Sequence, residues 1–453
     1  MRMGKTSMRV LVIVMSAMLL IAGCRSSDGA SDAKGTPGQA GTSAANASAT
    51  PAGDQKAPVK LKLAHGWTGE VPMAAAFEPA VERFIAENNY ITLTVETAPG
   101  NGIREKIVTE MAANAPPDVF LHWGVRDTAN YIVNDRLADL TDLIAQDPEM
   151  QGRYIDNAYV SSTYQNRIYG LPIEAYMMTF LVNERMFQEH GVKIPETFGE
   201  LKEAVTAFKK KNLVPIAAND GTTRAMLTNL ADQVYGDSLN DKLAGKEPYG
   251  QGLTRVAQLA NELIELGAFP KGMETMGTLQ ALEMFNAEMA PMYFQHSWTL
   301  GNIGKEIIDQ VRVIPFPKIE EAQQPYLTAG VGYFVYISKQ AYADEQKREA
   351  AWKLAKYLAG PEVGKDLEEI AGNPSPVKLE RGAGIHPVLA KALELRDSGK
   401  VKVFPDHNDL LSSEASAAYN DLKTRLYLKD ITPDQYAQRF QQAISTHPNK
   451  AFE

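Results

Sequence analysis

Three of the four tryptophans, Trp67, Trp123 and Trp298, each stand just beyond a short segment that reads as a β-strand. An indole ring at a loop has a use where it stacks on a ligand, and the C–H faces of a sugar suit that contact. Core packing at a strand end would account for any one of them equally well. Trp352 differs, because its helical spacing with Leu354, Ala355 and Leu358 places it in a core. Polar side chains that would orient a ligand stand close by: Thr68 and Glu70, Arg126 and Asp127, Glu174 and Tyr176. A solvated ion pair on an exposed loop accounts for Arg126 and Asp127 somewhat better than a binding role does.

Two other chemistries draw on the same neighbourhoods. His65, His122 and His296 each lie within two residues of one of those tryptophans, and three imidazoles form a zinc ligand set. No two share a local metal-binding spacing, so hydrogen bonding to a neutral ligand is the preferred role and no metal is assigned. Glycoside hydrolysis needs two carboxylates across a sugar, for which Glu70, Asp127, Glu174 and Asp220 are candidates. The chain has neither a Gly-x-Ser-x-Gly elbow nor a His-Glu-x-x-His helix, and no enzyme activity is expected. Gly100-Asn-Gly102 is too short for a phosphate loop, so no cofactor is expected either.

The chain has 453 residues, a single cysteine and a net charge of −9. One cysteine excludes an internal disulfide and a thiolate metal cluster, and the acidic balance gives no reason to seek nucleic acid. Arg2, Lys5 and Arg9 precede an apolar run over residues 10–22, which reads as a secretory signal over residues 1–23. The run ends in Leu20-Ile-Ala-Gly-Cys24, which resembles the bacterial lipobox and implies a lipidated Cys24 on the outer face of the cell membrane. Two acyl chains would anchor stably where one would not. Residues 24–58, rich in Ala, Ser, Gly, Thr and Pro and without an aromatic ring, read as a tether.

Alternating apolar residues predict strands at 59–63 and 91–95, and 118–122 reads as a short buried strand; helical spacing over 73–85 predicts a first helix whose main part starts at Pro79, and 103–114 reads as a second. That β-α-β-α-β order requires parallel strands and right-handed crossovers. Further strands are expected at 176–183, 215–218, 289–294, 311–315 and 331–337. Thr197 and Glu200 form a capping box, helices follow at 225–235, 251–266, 278–286 and 349–359, and the end from Lys391 is mostly helical.

The run 168–173 (IYGLPI), followed by 176–183 (YMMTFLVN), resembles bacterial extracellular solute-binding proteins of family 1, the maltose-binding-protein-like group. Other matching landmarks are 117–120 (PDVF), 195–198 (PETF), 292–298 (MYFQHSW), 329–332 (AGVG) and 351–358 (AWKLAKYL). The resemblance implies an α/β periplasmic-binding-protein-like fold of two lobes, each a mostly parallel sheet flanked by helices, joined by a hinge. It implies an amino-terminal lobe of residues 59–173 and 331–377, and a carboxy-terminal lobe of 176–328 and 378–453. It also implies a monomer that captures a small solute, expected to be a carbohydrate, and delivers it to the permease subunits of an ATP-driven importer. Trp298 matches a common sugar-stacking position, Asn219 and Asp220 match family ligand contacts, and Ser413 with Glu414 match a late one. A polyamine, another charged metabolite or a metal is the alternative ligand.

Overall fold

The computed structural model describes residues 57–100, 102–243 and 247–448, so the expected signal peptide, Cys24 and nearly all of the tether lie outside the described residues. Strand β1 (Val59–His65), helix α1 (Pro72–Glu87), strand β2 (Ile91–Thr97), helix α2 (Gly102–Ala112), strand β3 (Val119–Trp123) and helix α3 (Val125–Val133) follow in the expected order. β1 pairs in parallel with both β2 and β3, as the two crossover helices require.

The chain then makes one long strand, β4 (Gly170–Asn183), whose 14 residues are all buried. Beyond it come β5 (Ile216–Ala217), α4 (Asp220–Tyr235), β6 (Met292–His296), β7 (Val311–Ile314), a second long strand β8 (Tyr326–Ile337), β9 (Lys402–Phe404) and α5 (Ser413–Tyr427). The strand order is β2-β1-β3-β8-β4-β6-β5, with β7 added on β4 and β9 on β8. β4 and β8 run antiparallel from Gly170 opposite Tyr336 to Met177 opposite Ala329, and the register is irregular around Val331 and Tyr333. Beyond that stretch β4 pairs with β6 and β7, while the start of β8 pairs with β9.

Both long strands therefore serve two packed bodies. One apolar core takes residues from Val59 to Ala175 and from Val331 to Val377. Two further cores are built from residues between Met177 and Leu327 together with others between Val388 and Ile444. A strand of 14 residues at ~3.3 Å each spans about 45 Å, long enough to belong to both. This is the two-lobed α/β architecture that the sequence implies.

Three local expectations need correction. The first helix does not start at Pro79 but at Pro72, which takes the first-turn position, and Pro79 lies inside it. Pro79 removes one helical hydrogen bond on the solvent side, where water can serve the freed carbonyl; the buried face of Met73, Ala76, Phe77, Ala80, Val81 and Phe84 holds the helix together. β4 begins six residues before Tyr176, because Pro172 sits opposite Phe334 in the ladder without ending it. Trp352 is only half buried: it packs on the first core while its indole N–H donates to Asp147 Oδ2 at 3.2 Å.

Candidate functional site

Side chains alternate along a strand, so at the crossing Glu174 and Tyr176 turn to one face of the β4–β8 ribbon while Ala175 and Met177 turn to the other. On the Glu174 face lies a cavity of about 370 Å³ between the lobes. Its floor is Glu174, Tyr176, Gly332 and Tyr333. Trp67, Trp123 and Arg126 line it from the first lobe, and Arg224, His296, Trp298 and Asp406 from the second. A larger cavity of about 480 Å³ is bounded by residues 150–166 of the first lobe and contains none of the expected site residues.

The three tryptophans meet here, but they are not equivalent. Trp67 is 5% exposed and stacks on Tyr333 at 5.4 Å between centroids, with Phe77 edge-on at 5.1 Å. Trp123 meets Tyr333 edge-on at 4.9 Å and carries the Arg104 guanidinium 5.0 Å from its ring centre. These two rings brace Tyr333 as much as they face the cavity. Trp298, in a short 3-10 turn directly after β6, makes no ring–ring contact among the described residues. It is the ring most available as a stacking platform.

The polar groups form two ion pairs and a relay. Arg126 donates to Asp127 Oδ2 at 2.6 Å, and Arg104 donates to the other oxygen of the same carboxylate. Arg224, from α4, donates to Asp406 Oδ2 at 2.7 Å and meets His296 Nε2 at 3.3 Å. His296 Nδ1 lies 3.0 Å from Gln295 Oε1, and Gln295 Nε2 donates to Asn219 Oδ1 at 3.0 Å. An arginine can only donate, so Nε2 accepts and the ring proton sits on Nδ1. Burial lowers the His296 pKa and keeps that tautomer neutral.

Glu174 is buried, and its Oε1 accepts from the Asn373 amide at 2.9 Å. Burial raises its pKa to about 7, against a smaller lowering by that amide. The folded pKa lies above the unfolded value near 4.5, so between those pH values the folded state binds more protons and stability falls as pH rises. Glu174→Gln removes this dependence. Its unfolding free energy in urea should gain on that of the parent chain between pH 5 and pH 8, by on the order of 3 kcal/mol. Equal pH profiles for the two proteins would refute the assignment.

The other expected site residues lie elsewhere. Thr68 does not line the cavity; its N–H closes a turn on Gly66 O at 3.1 Å. Asn219 caps α4, accepting from Thr222 N–H at 3.0 Å, so its oxygen supports Gln295 from behind the wall. Asp220 holds the buried Lys423 ammonium at 2.5 Å, outside the lining. Ser413 donates to Arg126 O at 3.1 Å, linking α5 of the second lobe to the first; Glu414 is exposed. Glu70 is exposed and Asp127 is bound between two arginines, so neither faces Glu174 as a hydrolase pair requires.

The histidines are not gathered either. His65 packs edge-on to Phe77 at 4.8 Å and His122 against Trp123 at 5.6 Å, both buried, with pKa values pushed down to about 4 by desolvation. No group of three His, Cys, Asp or Glu side chains placed to hold a metal occurs among the described residues. Tyr333, Arg224 and Asp406 were not anticipated. Tyr333 directly follows the landmark run 329–332, and Arg224 lies one helical turn beyond Asp220; both signals were readable. Asp406 follows the short strand β9 and has no local signature.

Residues 79–383 match the family described as bacterial extracellular solute-binding protein. A binding protein of Brucella abortus is 30% identical over 305 residues, covering 64% of this chain and 72% of the relative. An ABC transporter extracellular-binding protein of Pyrococcus horikoshii is 25% identical over 391 residues, 81% of this chain and 83% of the relative. Among solved structures, a chitin oligosaccharide binding protein superposes with a TM-score of 0.77 at 20% identity, over 86% of this chain and 99% of that one. The family match spans more than half of the chain, on the fold that the crossing motifs imply: this chain belongs to the bacterial extracellular solute-binding proteins.

Proposed function

We propose that the chain captures a sugar or short oligosaccharide between its lobes and hands it to the permease subunits of an ATP-driven importer. The observation that carries this reading is the convergence of Trp67, Trp123 and Trp298, from three separate strand ends, on one interlobe cavity. Flat apolar rings accept the C–H faces of a pyranose, while the Arg224–Asp406 pair and Tyr176 offer donors and acceptors for its hydroxyls. The two strands that join the lobes limit their relative motion to bending about the crossing, so that ligand closes the cleft. In this reading residues 59–173 with 331–377 and 176–328 with 378–453 are the moving lobes, and acylated Cys24 with the tether holds them near the membrane. A chitin-oligosaccharide ligand in a protein of the same fold supports a carbohydrate here.

Thermal shift and tryptophan fluorescence across neutral mono- and disaccharides, spermidine and Zn²⁺ test the proposal. One sugar class should raise the melting temperature, since ligand at 100 times its Kd adds about 2.7 kcal/mol. That sugar should be recovered unchanged after prolonged incubation. A response to spermidine or Zn²⁺ alone, or the appearance of new reducing ends, would overturn it.

A further inference from the structure

The cavity holds four formally charged side chains, and one of them is unbalanced. Arg126 has Asp127 at 2.6 Å, and Arg224 has Asp406 at 2.7 Å. Glu174 has a neutral amide, Asn373, which is itself held by the Ser297 hydroxyl at 3.4 Å. Among the described residues no Lys, Arg or His forms an ion pair with Glu174, although its burial makes an uncompensated charge costly. Five aromatic rings line the same cavity: Trp67, Trp123, Tyr176, Trp298 and Tyr333. The Trp67 face is taken by Tyr333 and the Trp123 ring by Arg104, which leaves Trp298 as a ring with no such neighbour among the described residues. A buried carboxylate in such a cavity is a receptor for an ammonium group, which gains an ion pair and, over a free ring face, cation–π attraction.

We propose that the captured solute carries a positively charged amine, as in an amino sugar with its amine free, and that Glu174 is the counter-ion. The proposal rests on the carbohydrate reading above and names the class of sugar. The sugar ring lies on Trp298 while its ammonium donates to Glu174, so that binding neutralises a buried carboxylate that no ion pair matches among the described residues. A neutral sugar can donate hydroxyls to the same carboxylate but leaves its charge in place. Arg224 is matched by Asp406, while Arg126 and Arg104 share the single carboxylate of Asp127, so their repulsion of a bound ammonium is reduced rather than absent.

The test compares ligands that differ at one substituent. Cellobiose, its 2,2′-diamino analogue (the glucosamine dimer) and the N-acetylated dimer share a backbone and carry hydroxyl, ammonium or acetamide. Glucose, galactose and mannose with their 2-amino forms extend the comparison to other ring configurations. Calorimetry at pH 7 should show, in at least one pair, the amine binding tenfold or more tighter than its hydroxyl partner. Glu174→Gln should bring that pair to within about threefold, because the amine loses far more affinity than its hydroxyl partner does. Parity or hydroxyl preference in every pair, or an amine preference that survives Glu174→Gln, overturns the inference and leaves the carbohydrate reading standing. A response to spermidine with none to any sugar removes both.

Discussion

Replacing Trp298 by alanine should weaken binding of the sugar that gives the largest thermal shift by about 30- to 150-fold, with little change in the urea midpoint of the free protein. Truncating a buried aromatic anchor at the centre of a binding site costs about 2–3 kcal/mol, and each 1.4 kcal/mol is a factor of ten in Kd. Trp298 is the clean place to measure this. Its ring is half buried against the first core but makes no ring–ring contact among the described residues, so its loss leaves none of those rings unsupported. Trp67 and Trp123 both touch Tyr333, so the same truncation there combines lost ligand contact with a loosened floor. Trp352→Ala is the comparator: its partners are Asp147 and Lys356, away from the cavity lining, and it should leave Kd unchanged. Equal affinity of Trp298→Ala and the parent chain would remove the stacking platform from the account.

Much of the fold is legible locally because it follows from alternation and helical spacing. β1 and β2 appear where the apolar alternation puts them, and β3, a short run buried at four successive residues, appears where its apolar composition puts it. The crossing strands are only half legible: the sequence marks 176–183 and 331–337, yet β4 begins at Gly170 and β8 at Tyr326. Their extra residues are stabilised by long-range pairing, such as Leu171 with Val335 and Tyr326 with Lys402, which no local window contains. The site divides in the same way. Tryptophans just past strand ends are visible in sequence, because strand ends of an open α/β sheet are where ligands bind. Whether a polar residue faces the ligand or serves the scaffold depends on its partner. Asn219 and Asp220 have the types and positions of ligand contacts, and the structure gives one to a helix cap and the other to Lys423. Arg224 and Asp406 are 182 residues apart and become a pair only through the fold.

That pair carries the largest stability effect to be expected from a single change in the site. Arg224→Met keeps the length of the side chain and removes the cation. Asp406, 3% exposed, then keeps a hydroxyl from Thr228 at 3.3 Å but loses the guanidinium donor at 2.7 Å. Breaking a buried ion pair from one side costs about 3–5 kcal/mol, because the stranded charge is paid for without its partner. The same substitution removes the donor to His296 Nε2, leaves the ring held only through Nδ1 on Gln295, and so loosens one wall of the cavity. Arg224→Met should therefore lower the unfolding free energy measured in urea by that amount and weaken ligand binding as well. Asp406→Leu alone strands the arginine, which reaches solvent more readily since its side chain is 20% exposed, so its stability loss should be smaller. Combining the two leaves no stranded charge, and the double variant should recover more than half of the stability lost by Arg224→Met while ligand affinity stays low. Additive losses in that cycle would mean the two groups do not interact in solution, and the wall of the cavity would have to be held by Tyr176 and His296 instead.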